Sequence, residues 1–182
     1  PGNGVDQGPG LLAPTLLEFG SEEQKRKFVP PTLRREVRWC QGYSEPGAGS
    51  DLASLQCAAV LDGDEWVING TKFFITNGKK AEWTVVFATL DPALGRAGHR
   101  AFVVEKGTPG FSCPKLEKKM GLRASETAEQ LFEECRVPAF NLLGGDAHYE
   151  AKAKGGFKTA MKTFDATRPL VAVMAVGIAR AA

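Results

Sequence analysis

Hydrophobic and polar positions divide the chain into stretches of different period. Over residues 11–38 the apolar residues fall at helical spacing. Leu11, Leu12, Leu16, Leu17 and Phe19 form one stripe, which Gly20 stops. Ser21-Glu22-Glu23-Gln24 reads as a capping box, the Ser21 hydroxyl accepting from the N–H of Gln24 while the Gln24 side chain reaches back. Phe28 continues this second helix. Pro30-Pro31 are expected to interrupt it, with one more turn from Leu33 to Val37.

From Trp39 the period becomes strand-like. Strands are predicted over 56–61, 65–68, 71–76, 84–90, 101–105 and 129–135. Asp62-Gly63-Asp64, Asn69-Gly70 and Gly107 to Gly110 are the turns between them, and Asp91 to Arg100 is a loop. In the last strand Leu131 is the cleanest core candidate, with Phe132 and Cys135 less regular. Val137-Pro138 ends the pattern. Short strands at regular spacing predict a β-barrel or sandwich. After Gly144-Gly145 a polar linker runs to Lys154. A helix is then expected, carrying Phe157, Met161, Phe164 and Leu170 to Ile178, with a kink at Pro169. The fold class is therefore α+β, a central β domain over 39–150 flanked by helical segments at 1–38 and 151–182. The chain starts at Pro1 without a Met and stops at Ala182 inside an apolar helical pattern, so a piece of a longer protein is expected.

Composition narrows the function classes. The net charge is +2, from 23 basic and 21 acidic residues well mixed along the chain, which argues against a dedicated nucleic-acid binder. Lys115, Lys118 and Lys119 read as a solvated strand end. Cys40, Cys57, Cys113 and Cys135 are scattered without a C-x-x-C pair, so buried free thiols are expected rather than zinc or a redox dithiol. His99 and His148 lie in polar, loop-like stretches with no metal-ligand partner at useful spacing. No apolar run approaches the ~20 residues of a membrane helix.

Three segments carry candidate chemistry. Gln41, Gly42, Tyr43, Ser44, Glu45, Pro46, Gly47, Ala48, Gly49 and Ser50 pack a bend, three glycines and several oxygen-bearing side chains together. Such a loop brings backbone N–H groups and hydroxyls against a flat or anionic ligand; a plain Gly-Pro surface turn is the alternative. It is neither a dinucleotide fingerprint nor a P-loop, because no third glycine and no Gly-Lys-Ser follow. Phe74, Ile75 and Thr76 close an aromatic-rich strand in which Phe74 and Thr76 share a face. An aromatic two residues from a hydroxyl suits a ring ligand; the alternative is a core face of Phe73 and Ile75. Asp165, Ala166, Thr167 and Arg168, just before Pro169, suit an ion pair that positions a carboxylate or steadies developing charge; the alternative is a surface pair.

Together these segments resemble the acyl-CoA dehydrogenases, in the same order and at similar intervals. The resemblance extends to Phe19-Gly20-Ser21-Glu22-Glu23-Gln24-Lys25, Gly63 to Gly70, Met120 to Thr127, Arg136-Val137-Pro138 and Gly156-Phe157-Lys158, and so covers nearly the whole chain. It implies FAD as cofactor, an acyl-CoA thioester as substrate, and removal of two hydrogens to give the trans-2-enoyl-CoA. It places Gln41 through Ser50 and Phe74, Ile75 and Thr76 around the FAD, with Ser50 and Asp165 through Arg168 against the substrate. It also implies an electron-transfer flavoprotein as partner and a homotetramer or dimer. Two departures stand out. Many relatives carry Trp where this chain has Phe74. Thr167 stands where some branches keep their catalytic glutamate, and a threonine cannot act as that base at neutral pH. As in the medium- and short-chain types, the base is expected beyond Ala182, leaving these 182 residues inactive alone. An acyl-CoA oxidase and a non-catalytic assembly or CoA-ester-binding module are the alternatives. The expected compartment is the cytoplasm, or the mitochondrial matrix if a leader has been removed.

Overall fold

A computed structural model of the chain describes residues 7–151 and 155–182. A short π-helical turn, Gly8–Leu12, leads into α1 (Ala13–Phe19), and α2 follows at Glu22–Leu33. The Ser21 capping box forms in full: Gln24 N–H donates to Ser21 Oγ at 3.1 Å and Ser21 N–H to Gln24 Oε1 at 3.0 Å. Pro30 and Pro31 do not interrupt α2. Each removes only one backbone N–H, both lie in the last turn, and Arg34 N–H and Glu36 N–H still donate to the carbonyls of Pro30 and Pro31. The extra turn expected over Leu33 to Val37 is absent, and the chain turns there through Arg35 at φ +57°.

The β region is one seven-stranded sheet that curls into a half-barrel rather than two facing sheets. Its strands are β1 (Trp39–Gly42), β2 (Ala58–Asp62), β3 (Glu65–Thr76), β4 (Trp83–Thr89), β5 (His99–Glu105), β6 (Phe111–Ser112) and β7 (Thr127–Pro138). β3 pairs antiparallel with β2 and β7, and β4 pairs antiparallel with β5 and parallel with β1. Gly63-Asp64 makes the predicted β2–β3 hairpin, with Asp62 opposite Glu65 and Gly63 at φ +65°.

Asn69-Gly70 is not a turn: β3 runs through it. Ile68 and Gly70 oppose Cys135 and Phe132, so β7 carries one extra residue here, with Glu134 at φ +50°. Asn69 fastens the bulge, its Nδ2 donating to Glu134 Oε1 and its Oδ1 accepting from Glu134 N–H, both at 2.8 Å. The extra residue puts Phe132 and Cys135, three positions apart, on the same buried face, while Leu131 is only half-buried. The core thus gains the two residues whose spacing looked irregular.

The helices pack on the sheet through aromatic edges. Phe28 of α2 meets Trp39 and Trp83 at centroid distances of 5.9 and 5.1 Å. Trp39 Nε1–H donates to the buried Thr32 hydroxyl at 2.8 Å. The segment read as a polar linker forms α3 (Gly145–Ala151), and α4 (Gly155–Ala181) continues through Pro169. Neither histidine is in a loop: His99 opens β5, buried against Phe87, and His148 lies in α3 beside Phe19. The four cysteines are free; Cys40, Cys57 and Cys135 are buried and Cys113 half-buried. No helix among the described residues is long and apolar enough to cross a membrane, and no group of metal-ligating side chains occurs among them.

Gly70 tests the close packing of β3. At φ +147° its missing Cβ would sit 2.8 Å from the Cys57 Cα. Gly70→Ala is expected to destabilise the protein by about 2 kcal/mol or more, read as a fall in the urea midpoint of the full-length protein.

Candidate functional site

The loop that leaves β1 is held from beneath by one side chain of β3. Lys72 has no solvent exposure, and its ammonium donates to Glu45 Oε1 at 2.7 Å, to the Tyr43 carbonyl at 3.2 Å and to the Phe87 carbonyl. The Glu45 carboxylate accepts in addition from the N–H groups of Gln56 at 2.6 Å and Cys57 at 2.9 Å. Glu45 and Ala48 exchange backbone hydrogen bonds at 2.9 and 3.2 Å, closing a tight turn whose tip is Pro46-Gly47. Gly42 is buried where a Cβ would come 3.1 Å from Gln130 Oε1 and 3.2 Å from Thr84 Cγ2, so a larger residue would have to push these side chains aside by a few tenths of an ångström. The Tyr43 ring packs on Phe87 at 5.4 Å, and burial pushes its hydroxyl pKa above the usual range. Burial likewise raises the Cys57 thiol to about 11, partly opposed by the nearby Lys72 ammonium.

Directly after Lys72, β3 carries its own bulge. Lys72 and Ile75 oppose Gln130 and Ala128, so two residues, Phe73 and Phe74, stand against one on β7. Phe74 takes φ +57°, uncommon for an aromatic residue, and its ring is 65% exposed, edge-on to Phe73 at 5.4 Å. Ile75 turns inward to pack with Cys40 and Ala81, and Thr76 stays half-exposed opposite Thr127. Phe73 N–H donates to the Ser44 carbonyl at 2.8 Å. The loop and the aromatic strand, far apart in sequence, are therefore joined at Ser44 and again through Lys72.

Ser44 opens onto a cleft of about 430 Å³. Ser50, Asp51, Arg96, Met161 and Arg168 are among its lining residues. Ser50 and Arg168 are thus brought together. Arg168 is exposed, with its Nη1 3.6 Å from Asp165 Oδ1 in an i,i+3 pair on α4. Ala166 and Thr167 lie on the same helix, with side chains outside the described ones. Pro46 and Gly47 face away, into a separate hollow of about 450 Å³ shared with Gln56, Gly70 and Thr71. Glu45 and Ala48 are buried and shape the loop from within, whereas Gly49 is exposed and joins Ser50 at the cleft.

Sequence reasoning missed Lys72, Gln130 and Arg96. A signal for Lys72 was present: it shares inward parity with Trp66, Ile68 and Gly70, and a charge at such a position calls for a buried acid. Gln130, also fully buried, ties β1 to β4 and to the β3–β4 turn, its Nε2 donating to Cys40 Sγ, Thr84 Oγ1 and the Gly78 carbonyl at 3.3, 3.0 and 3.1 Å.

The acyl-CoA dehydrogenase middle-domain family matches residues 40–135, more than half of the chain and all of the strands just described except their outermost ends. The chain belongs to the acyl-CoA dehydrogenase family. It is 45% identical over 172 residues to the short-chain specific acyl-CoA dehydrogenase of Clostridium acetobutylicum, covering 94% of this chain and 44% of that protein. Among solved structures, butyryl-CoA dehydrogenase of Megasphaera elsdenii superposes with a TM-score of 0.86 at 42% identity, over 94% of this chain and 43% of that one. A chain from a structure described as an electron transferring flavoprotein of Acidaminococcus fermentans, studied for flavin-based electron bifurcation, superposes at 0.87 with 46% identity, over 96% and 44% of the two chains. The chain spans less than half the length of these acyl-CoA dehydrogenase relatives.

The buried ion pair sets a clear expectation. Lys72→Met strands the Glu45 carboxylate in the core and should cost about 3–5 kcal/mol. The double variant Lys72→Met, Glu45→Gln should recover part of that loss, as urea unfolding of the three full-length proteins will show.

Proposed function

We propose that the protein is an FAD-dependent acyl-CoA dehydrogenase that converts an acyl-CoA thioester to its trans-2-enoyl-CoA. The observation that carries this reading is the joining of the two family motifs into one surface. Phe73 N–H bonds the Ser44 carbonyl, Lys72 clamps Tyr43 and Glu45, and the same loop ends at the cleft that Arg168 enters from α4.

The residues fit a flat ring with a polar edge. Phe74 offers an exposed aromatic ring, and Thr76, two residues on, a half-exposed hydroxyl. The Gln41 side chain is half-buried beside the Tyr43 hydroxyl, to which it offers a hydrogen bond. Gln41 through Ser44, Gly49, Ser50 and Phe74 through Thr76 would hold the FAD, while Glu45, Pro46, Gly47 and Ala48 keep that loop in shape. FAD, when bound, supplies the two-electron acceptor. Phe74 covers a ring face without the indole N–H that a tryptophan would add.

Ser50 and Asp165 through Arg168 would hold the acyl-CoA. Arg168 supplies positive charge at the cleft, with Asp165 one turn away on the same exposed helix face at 3.6 Å. Removal of the α-proton requires a carboxylate base, and Thr167 is none. The base is a glutamate outside these 182 residues. Electrons leave to an electron-transfer flavoprotein, and the working form is a homotetramer or dimer. The likeness to the Acidaminococcus chain supports that acceptor.

The full-length gene product, purified with its own cofactor, is expected to be yellow. Titrating it without oxygen against acyl-CoAs of increasing length should bleach the flavin absorbance at one preferred length. A yellow protein that none of them bleaches would remove the substrate class, and one that stays colourless after FAD reconstitution would remove the cofactor. Peroxide formed during turnover in air would mark an oxidase instead.

A further inference from the structure

Arg96 lies outside every motif of the loop and strand, yet it lines the same cleft as Ser50 and Arg168. We infer that Arg96 is a ligand-binding residue of this cleft, a second guanidinium that, with Arg168, receives a phosphate group of the CoA moiety. This inference rests on the acyl-CoA reading above.

Arg96 stands in the β4–β5 connection, where the backbone on both sides is tied down. Leu90 N–H donates to the Gly98 carbonyl at 2.9 Å and closes the connection at its base. Asp91 Oδ1 accepts from Ala93 N–H at 2.8 Å, and Leu94 N–H donates to the Asp91 carbonyl at 3.1 Å. Gly95, at φ +51° and ψ −133°, breaks the helical run and redirects the chain one residue before the arginine. After it, Arg100 Nη1 donates to the Ala97 carbonyl at 2.8 Å. Gly98 has no room for a Cβ, which would fall 2.8 Å from the Asp91 carbonyl oxygen. The backbone under Arg96 is set before any ligand arrives, which lowers the ordering cost of binding.

On the lining itself two guanidinium groups, Arg96 and Arg168, stand with one carboxylate, Asp51, and Asp165 lies 3.6 Å from Arg168 on α4. Ser44 and Ser50 bring hydroxyls, and Leu52 and Met161 bring apolar surface. A cleft with both cationic and apolar walls suits an elongated ligand with phosphate at one part and a carbon chain at another. Guanidinium groups bind phosphate through paired N–H donors, a geometry that a lysine ammonium does not reproduce. Arg96 is itself exposed, so its removal opens no cavity in the core.

The test is the dissociation constant of CoA, measured by calorimetry on the full-length protein, with acyl-pantetheine as the phosphate-free control. Arg96→Ala is expected to weaken CoA binding about ten-fold, to leave acyl-pantetheine binding unchanged and to leave the melting curve in place. Arg96→Lys should fall between the two, and added salt should narrow the gap for CoA. Equal CoA affinity in wild type and Arg96→Ala, equal losses for both ligands, or a wild type that does not bind CoA would each overturn the inference. Bleaching of the flavin by acyl-CoA is a separate readout. A wild type that binds CoA through Arg96 without being bleached would reject the dehydrogenase reading and leave the phosphate assignment standing.

Discussion

The Lys72 ammonium has no contact with water, and three acceptors on two segments surround it: the Tyr43 carbonyl and the Glu45 carboxylate of the loop after β1, and the Phe87 carbonyl of β4. Taking an ammonium and a carboxylate out of water costs several kcal/mol for each ion, and only near-complete hydrogen bonding offsets it. Glu45 meets that requirement with two backbone N–H groups besides the lysine. The geometry is therefore demanding, and the demand is what specifies the site. If Glu45 shifts, Gln56 and Cys57 lose their acceptor. If Lys72 shifts, the loop carbonyl at Tyr43 loses its donor, and the bulge that begins one residue later loses its anchor. Two segments that bear no sequence relation to each other are thereby held in one arrangement.

Bulges supply the second constraint. A strand of strict alternation presents every second residue to one face, and β3 and β7 both depart from it once. On β7 the extra residue recruits Phe132 and Cys135 to the same core face. On β3 it does the reverse, leaving an aromatic ring in solvent at a backbone angle that aromatic residues seldom take. An exposed Phe on an otherwise well-packed strand is unfavourable for stability alone, and its placement beside the Ser44 loop is where a ring ligand would use it.

Much of this was legible in the chain. The Ser21 capping box, the Gly63-Asp64 hairpin and the strand-rich middle follow from local chemistry that tertiary packing did not override, whereas the face expected to be shared by Phe74 and Thr76 assumed an alternation that the bulge at Phe73-Phe74 breaks. Asn69-Gly70 misled because the same dipeptide that makes hairpin turns also suits a bulge partner, and only the opposite strand decides between them. Pro30, Pro31 and Pro169 misled because a proline removes one hydrogen bond from a helix, which surrounding bonds tolerate. Arg96 was hidden for a different reason: a cleft formed between a loop and a distant helix leaves no periodic trace in either. The grouping of Ser50 with Arg168 was reached through family resemblance, since neither residue declares a ligand by its own neighbours.

Gln24 carries a consequence for how the chain reaches this state. Its side chain completes the first turn of α2 and also bonds the carbonyls of Phe140 and Leu142 at 2.7 Å and the N–H of Gly144 at 2.9 Å. A motif that ordinarily closes within four residues is here shared with a segment 116 to 120 positions away. Until that distant segment is in place Gln24 lacks these partners, and α2 is held to the sheet through the contacts of Phe28 and Thr32 with Trp39 and Trp83. The start of α2 is thus closed by the chain that follows β7, so a change at Phe140 to Gly144 would be felt at a helix end more than a hundred residues earlier in the sequence.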